Sequence, residues 1–215
     1  MDARILATRR NRMANSLTQA EYDIPVELIS LRPPVTPEKF EEFCRKYDEL
    51  RLELTSTGEL IIMPPAGAQT SSINSNLNYQ LEAWSIQDGS GVCFDSSAGF
   101  TLPNGAVRSP DAAWIHLQQW DSLTKQQKSS FPPICPDFVV ELRSPSDNLT
   151  QLNLKMIEYL ENGTDLGWLI DPFRRKVYVH MPGQETVVLD NPVSVSGHPL
   201  LPGFRLHLAR LWYDE

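Results

Sequence analysis

Apolar residues recur along this chain first at helical and then at strand spacing. Phe40, Phe43 or Cys44, and Tyr47 follow Thr36-Pro37-Glu38. A helix is therefore predicted from Thr36 to about Leu50, with Thr36 as N-cap, proline in the first turn and Glu38 near the positive end of the dipole. Leu52 and Leu54 alternate around Glu53, and after Thr55-Ser56-Thr57-Gly58 the run from Glu59 to Met63 resumes, so a hairpin is predicted. Ile73, Leu77, Leu81 and Trp84 predict a long helix from about Gln69 to Gln87. Val92 to Phe94, Gly99 to Leu102 and Val107 to Ile115 read as three strands. Leu117 to Lys128 reads as a short helical insert, and Asp137 to Arg143 as a further strand. Ser146 or Asp147 then caps a helix running to about Glu161, stopped by Asn162-Gly163. Four more strands, at Leu166 to Ile170, Lys176 to His180, Glu185 to Leu189 and Val193 to Val195, precede a tail with apolar Leu206, Leu208 and Leu211. This order predicts an α/β fold, a mixed α+β sheet with flanking helices. It would form one domain over residues 35–215, behind an N-terminal lead-in over 1–34.

Composition narrows the class. The chain has 215 residues, 41% hydrophobic and 21% charged, which suits an ordinary globular domain. No apolar run approaches the roughly 18 residues that argue for a membrane span. Arg4, Arg9, Arg10 and Arg12 occur without an apolar core, so the start is not a secretory signal. It is expected to be a partly disordered arm, with Met13 as an alternative start. Cys44, Cys93 and Cys135 form no CxxC, which fits a reducing cytoplasm and argues against a disulfide framework or zinc site. A net charge of −8 counts against a broad nucleic-acid-binding face, although a local basic rim would suffice.

Two of the predicted strands set carboxylates among apolar residues, an unfavourable placement unless the charges are paired. Along the second, Asp137, Val139, Glu141 and Arg143 share one face. Asp137 stands four residues from Glu141, about 13 Å away, too far to share an ion that needs oxygens at about 2.1 Å. Asp111, on the neighbouring strand, comes close, since adjacent strands lie about 5 Å apart. Asp111 and Glu141 are thus the pair able to share Mg2+ or Mn2+, with the Leu142 backbone carbonyl as a third oxygen. The other reading is a carboxylate pair held by buried hydrogen bonds. Glu53, in a strand interior, is a further candidate ligand; Glu59 abuts a turn and is expected to be solvated.

The order Pro110-Asp111 … Glu141-Leu142-Arg143 resembles the PD-(D/E)xK nuclease superfamily. Flanking strings are similar to its Uma2-like branch (DUF820), abundant in cyanobacteria. They are Arg51-Leu52-Glu53-Leu54, Gly58-Glu59-Leu60-Ile61-Ile62-Met63-Pro64-Pro65, Asp95-Ser96-Ser97-Ala98-Gly99-Phe100, Arg108-Ser109, Pro136-Asp137-Phe138-Val139-Val140, Ser144-Pro145-Ser146 and Leu166-Gly167-Trp168-Leu169-Ile170-Asp171-Pro172. The resemblance runs from about Thr36 to the C-terminus. It implies a restriction-endonuclease-like core, metal-dependent hydrolysis of DNA phosphodiesters, and a homodimer, for which the apolar tail and the hairpin offer an interface.

The family's strand lysine is Arg143 here, a departure from the pattern. Arginine keeps its proton and cannot act as a base, though its fork can bind phosphate. Lys155, three residues after Leu152 and four before Tyr159, lies at the edge of a helix stripe and is the candidate to take over the role, as Uma2-like sequences suggest. Its loss is expected to end cleavage and spare stability. Gln151, one turn earlier, is a further substrate-binding candidate. The alternative function is a catalytically inactive nuclease fold that serves as a binding module for a protein partner.

Overall fold

The computed structural model describes residues 28–29 and 34–213, so the expected N-terminal arm lies almost wholly outside the described residues. Helices are α1 (Pro37–Lys46), α2 (Ala68–Asp88), α3 (Leu117–Ser122), α4 (Lys125–Lys128) and α5 (Leu149–Glu161). Strands β1 (Leu28–Ile29), β2 (Arg51–Leu54), β3 (Leu60–Met63), β5 (Phe100–Thr101) and β6 (Val107–Arg108) build an antiparallel sheet in the order β1-β3-β2-β6-β5. A second sheet contains β4 (Gly91–Asp95), β7 (Ala112–His116), β8 (Phe138–Leu142), β9 (Leu166–Asp171), β10 (Lys176–His180) and β11 (Val187–Asp190). Its order is β11-β10-β9-β8-β7-β4, and only β8 and β9 run parallel. That parallel pair needs a crossover, which α5 supplies. β12 (Ser194–Ser196) and β13 (Arg205–His207) form a two-stranded ribbon.

The period-2 pattern of β7, β8 and β9 sorts their side chains onto two apolar faces. Trp114, Phe138, Val140, Trp168 and Ile170 pack with Ile73, Leu77 and Leu81 of α2. Ala113, Ile115, Val139 and Leu169 pack with Met156 and Tyr159 of α5. Glu141 follows the odd-numbered residues onto the α5 side, which places a carboxylate under a helix rather than in solvent.

Four boundaries differ from expectation, each for a physical reason. α1 stops at Lys46 because Tyr47 leaves helical geometry (φ −126°, ψ 60°). The run Val107 to Ile115 is two strands in two different sheets, parted at Ser109-Pro110-Asp111, where proline has no N–H for a ladder. α5 is capped by Asn148, whose side chain accepts from the Thr150 and Gln151 N–H groups; Asp147 accepts from Ser144 N–H instead (2.7 Å). The tail carries a strand, β13, and Leu206, Leu208 and Leu211 are fully buried in the chain's own core. The apolar tail is therefore no dimer interface, and the hairpin's outer edge pairs with β1.

His180 is buried, with Nδ1 3.1 Å from Thr186 Oγ1 and Nε2 without a partner. Burial lowers its pKa from the ordinary value of about 6.5. The unfolded chain then binds a proton that the native state refuses, so this contribution is present above pH 6.5 and is lost as pH falls below it. Thermal melts at pH 7.5 and 5.5 should differ less for His180→Leu than for wild type. An unchanged difference would remove His180 from the acid sensitivity.

Candidate active site

The cleft lies where the two sheets meet. The β7–β8 register pairs Ala112 with Val140 and, carried one step further, sets Asp111 opposite Glu141. Asp111 Oδ2 accepts from Leu142 N–H (2.8 Å), a bond that stands in for the missing ladder. N–H and C=O of a strand residue point the same way, so the Leu142 carbonyl also faces the Asp111 side. Its ladder partner there would be Pro110, which has no hydrogen to donate. That carbonyl is thus left without its ladder donor, beside two carboxylates.

Lys155 reaches the cleft from α5. Its Nζ lies 2.8 Å from Glu141 Oε1 and 2.8 Å from Glu53 Oε1. Tyr159, one turn on, donates its hydroxyl to the same Glu141 oxygen (3.0 Å). Glu53 is filled: Oε1 also accepts from Ser109 N–H (2.9 Å), and Oε2 binds Arg108 Nη1 (3.1 Å). Arg108 in turn binds Glu158 (2.6 Å). Glu141 Oε2 and Asp111 Oδ1, by contrast, have no hydrogen-bond partner among the described residues. Glu141 is 4% exposed and Asp111 is half-buried, so both oxygens belong to carboxylates largely removed from water.

Counted ionised, the four carboxylates Asp111, Glu141, Glu53 and Glu158 face two cations, Lys155 and Arg108. Two negative charges are in excess. The protonation equilibria respond accordingly. Burial pushes Glu141 up to about 7, with Lys155 opposing and Asp111 and Glu53 adding to the rise. Burial also raises Asp111, against the Leu142 N–H bond and the charges of Lys155 and Arg51. Burial would raise Glu53 too, but Lys155 and Arg108 outweigh it and hold it low. Lys155 is raised, because Glu141 and Glu53 outweigh its own burial. The lysine therefore keeps its proton with Glu53 as its anion, and Glu141 is the carboxylate short of a cation.

The described residues contain no group of three or more His, Cys, Asp or Glu side chains arranged for a metal ion. The donor set that fits a divalent cation is smaller: two carboxylates, each with an uncommitted oxygen, and one carbonyl. Oxygen donors alone suit Mg2+ or Mn2+, and such an ion would balance the two excess charges. Glu53, with both oxygens engaged, serves the lysine.

The other sequence candidates stand apart from these contacts. Arg143 binds Asp171 Oδ2 (2.7 Å) and lies over the Phe173 ring, with no hydrogen bond to Asp111 or Glu141. Gln151 is exposed and its side chain makes no hydrogen bond among the described residues. Asp137 accepts from His116 N–H and Gln119 Nε2 (2.7 Å each), which accounts for its burial at the far end of β8. Sequence reasoning missed Tyr159, Glu158 and Arg108 as members of the network. The helix-face spacing of Lys155, Glu158 and Tyr159 is the signal that was present.

Residues 37–209 match the Uma2 family, described as putative restriction endonuclease, so the chain belongs to that family. It is also similar to a solved structure titled a putative nuclease belonging to DUF820 from Anabaena variabilis ATCC 29413. The TM-score is 0.68 at 24% identity, over 83% of this chain and 98% of that one, a likeness of fold. No curated protein matches the sequence. The mixed α/β architecture with flanking helices is thus a restriction-endonuclease-like fold. No helix among the described residues is long and apolar enough to cross a membrane.

Proposed function

We propose that this protein hydrolyses DNA phosphodiester bonds with Mg2+ or Mn2+ held by Asp111, Glu141 and the Leu142 carbonyl. The observation that carries the reading is the cleft's pair of uncommitted carboxylate oxygens, with an excess of two negative charges and a protonated lysine alongside. A divalent cation bound there supplies Lewis acidity toward the phosphate and makes water a better nucleophile. The chain's own residues do the rest. Tyr159 and Lys155 both engage Glu141 Oε1 and so aim Oε2 outward. Lys155, held charged by Glu53, stabilises negative charge developing on the phosphoryl oxygens; it is an electrostatic group rather than a base. Asp111 is fixed by the Leu142 N–H.

Arg143, tied to Asp171, steadies the end of β8 in this reading, and Gln151 is left as an outer contact for substrate. A second copy of the chain would supply the second cut of a duplex. The net charge of −8 and the arginine at position 143 favour a second reading, a nuclease fold kept for binding a protein partner in the cytoplasm. Incubating supercoiled plasmid and short duplexes with the full chain and Mn2+ or Mg2+ decides between them. Cleavage that EDTA stops is expected, with linear product if two sites act together and nicked circles if one does. Intact DNA under every metal would favour the binding module.

A further inference from the structure

We infer that Arg51 anchors the substrate, taking a non-bridging phosphate oxygen of the DNA strand on the Asp111 side of the cleft; this rests on the hydrolytic reading above and names the substrate contact of that site. A polyanion entering a cleft with excess negative charge needs a cation that is not already neutralised. Lys155, Arg108 and Arg143 are each bound to carboxylates. Arg51 is exposed and has no ion pair among the described residues. One nitrogen, Nη2, donates to the Ser96 carbonyl (2.8 Å), and the other donors of the five-donor fork make no hydrogen bond among the described residues.

Its position follows from strand geometry. Arg51 and Glu53 lie two apart on β2 and share a face, about 7 Å from each other. Glu53 is the residue that grips Lys155 and the Ser109 N–H, so Arg51 stands one pleat outward from the lysine's anchor. A neutral frame ties it to Asp111. Asn78 on α2 donates to the Asp111 carbonyl (3.0 Å) and to Asn74 (3.0 Å), and Asn74 reaches the hydroxyl of Ser96 (3.4 Å), whose carbonyl holds Arg51. A planar fork tethered at one corner still has donors to offer a phosphate oxygen.

The test is fluorescence anisotropy of a labelled short DNA duplex, bound by the full chain with Ca2+ in place of Mg2+, over a range of salt concentrations. Arg51→Ala should weaken binding about tenfold and reduce the slope of log affinity against log salt by about one phosphate contact. Arg51→Lys should restore the slope, and Arg205→Ala, an equal loss of charge at an exposed position of β13, should leave it unchanged. Melting curves of the variants should overlay wild type. An Arg51→Ala slope equal to wild type, or an equal fall in Arg205→Ala, overturns the inference. Cleavage by wild type with Mn2+, measured in parallel, separates the two claims. If DNA is cut and the slope does not depend on Arg51, only the anchor is lost. If binding depends on Arg51 and nothing is cut, the anchor stands and hydrolysis falls. If wild type neither binds nor cuts, both fall.

Discussion

Asp111→Asn is expected to reduce metal-dependent cleavage by at least about a hundredfold while leaving the metal-free protein as stable as wild type or slightly more so. The asparagine oxygen still accepts from Leu142 N–H, so the strand end keeps its bond. What disappears is one of two carboxylates crowded into a buried site with excess negative charge, and with it the repulsion that adds to the effect of burial in raising Glu141. Lewis acidity at a phosphate is worth several kcal/mol, and each 1.36 kcal/mol is tenfold in rate, which sets the expected loss. Calorimetry supplies the second readout. A ligand at a hundredfold excess over its Kd stabilises by about 2.7 kcal/mol, so Mn2+ should raise the Tm of wild type and leave that of Asp111→Asn unmoved. Equal metal-induced shifts in both proteins would take Asp111 out of the ligand set.

Lys155→Ala is expected to lose both cleavage and stability. From sequence its removal reads as harmless to the fold; the two 2.8 Å ion pairs overturn that. Removing one partner of a buried pair leaves uncompensated charge and costs about 3–5 kcal/mol. For a chain of this size that is a fall in Tm of about 10 °C. Because lost stability alone can lower activity, a second variant separates the roles. Lys155→Met combined with Glu53→Gln removes both the cation and its anion, and should recover most of the stability and none of the cleavage. Recovery of cleavage in that double variant would reduce Lys155 to a structural counter-ion.

Much of this arrangement is visible in one dimension, and the limits are instructive. Period-2 alternation is enough to put Glu141 and Asp111 on one face, and 3.6-residue spacing is enough to bring Lys155 and Tyr159 to one side of a helix. Pro110 marks a break within the run from Val107 to Ile115, but nothing local says that the chain there leaves one sheet and enters another. Glu53 illustrates the same limit. Its place in a strand interior marks it as buried, but whether it meets a metal or a lysine depends on α5, a hundred residues later. The tail's leucines read as sticky surface because nothing local reveals that α2 lies across them. In each case the missing information is which distant element packs on a given face.

The seam between the sheets makes the site depend on both of them. Glu53 and Arg108 arrive with the first sheet, Asp111 and Glu141 with the second, and Lys155 bridges them from the helix above. A nascent or partly unfolded molecule in which the first sheet has not docked keeps Glu141 beside Lys155 but lacks Glu53, the lysine's second anion. On the proposed hydrolytic reading, competence to cut would therefore require both sheets to be docked.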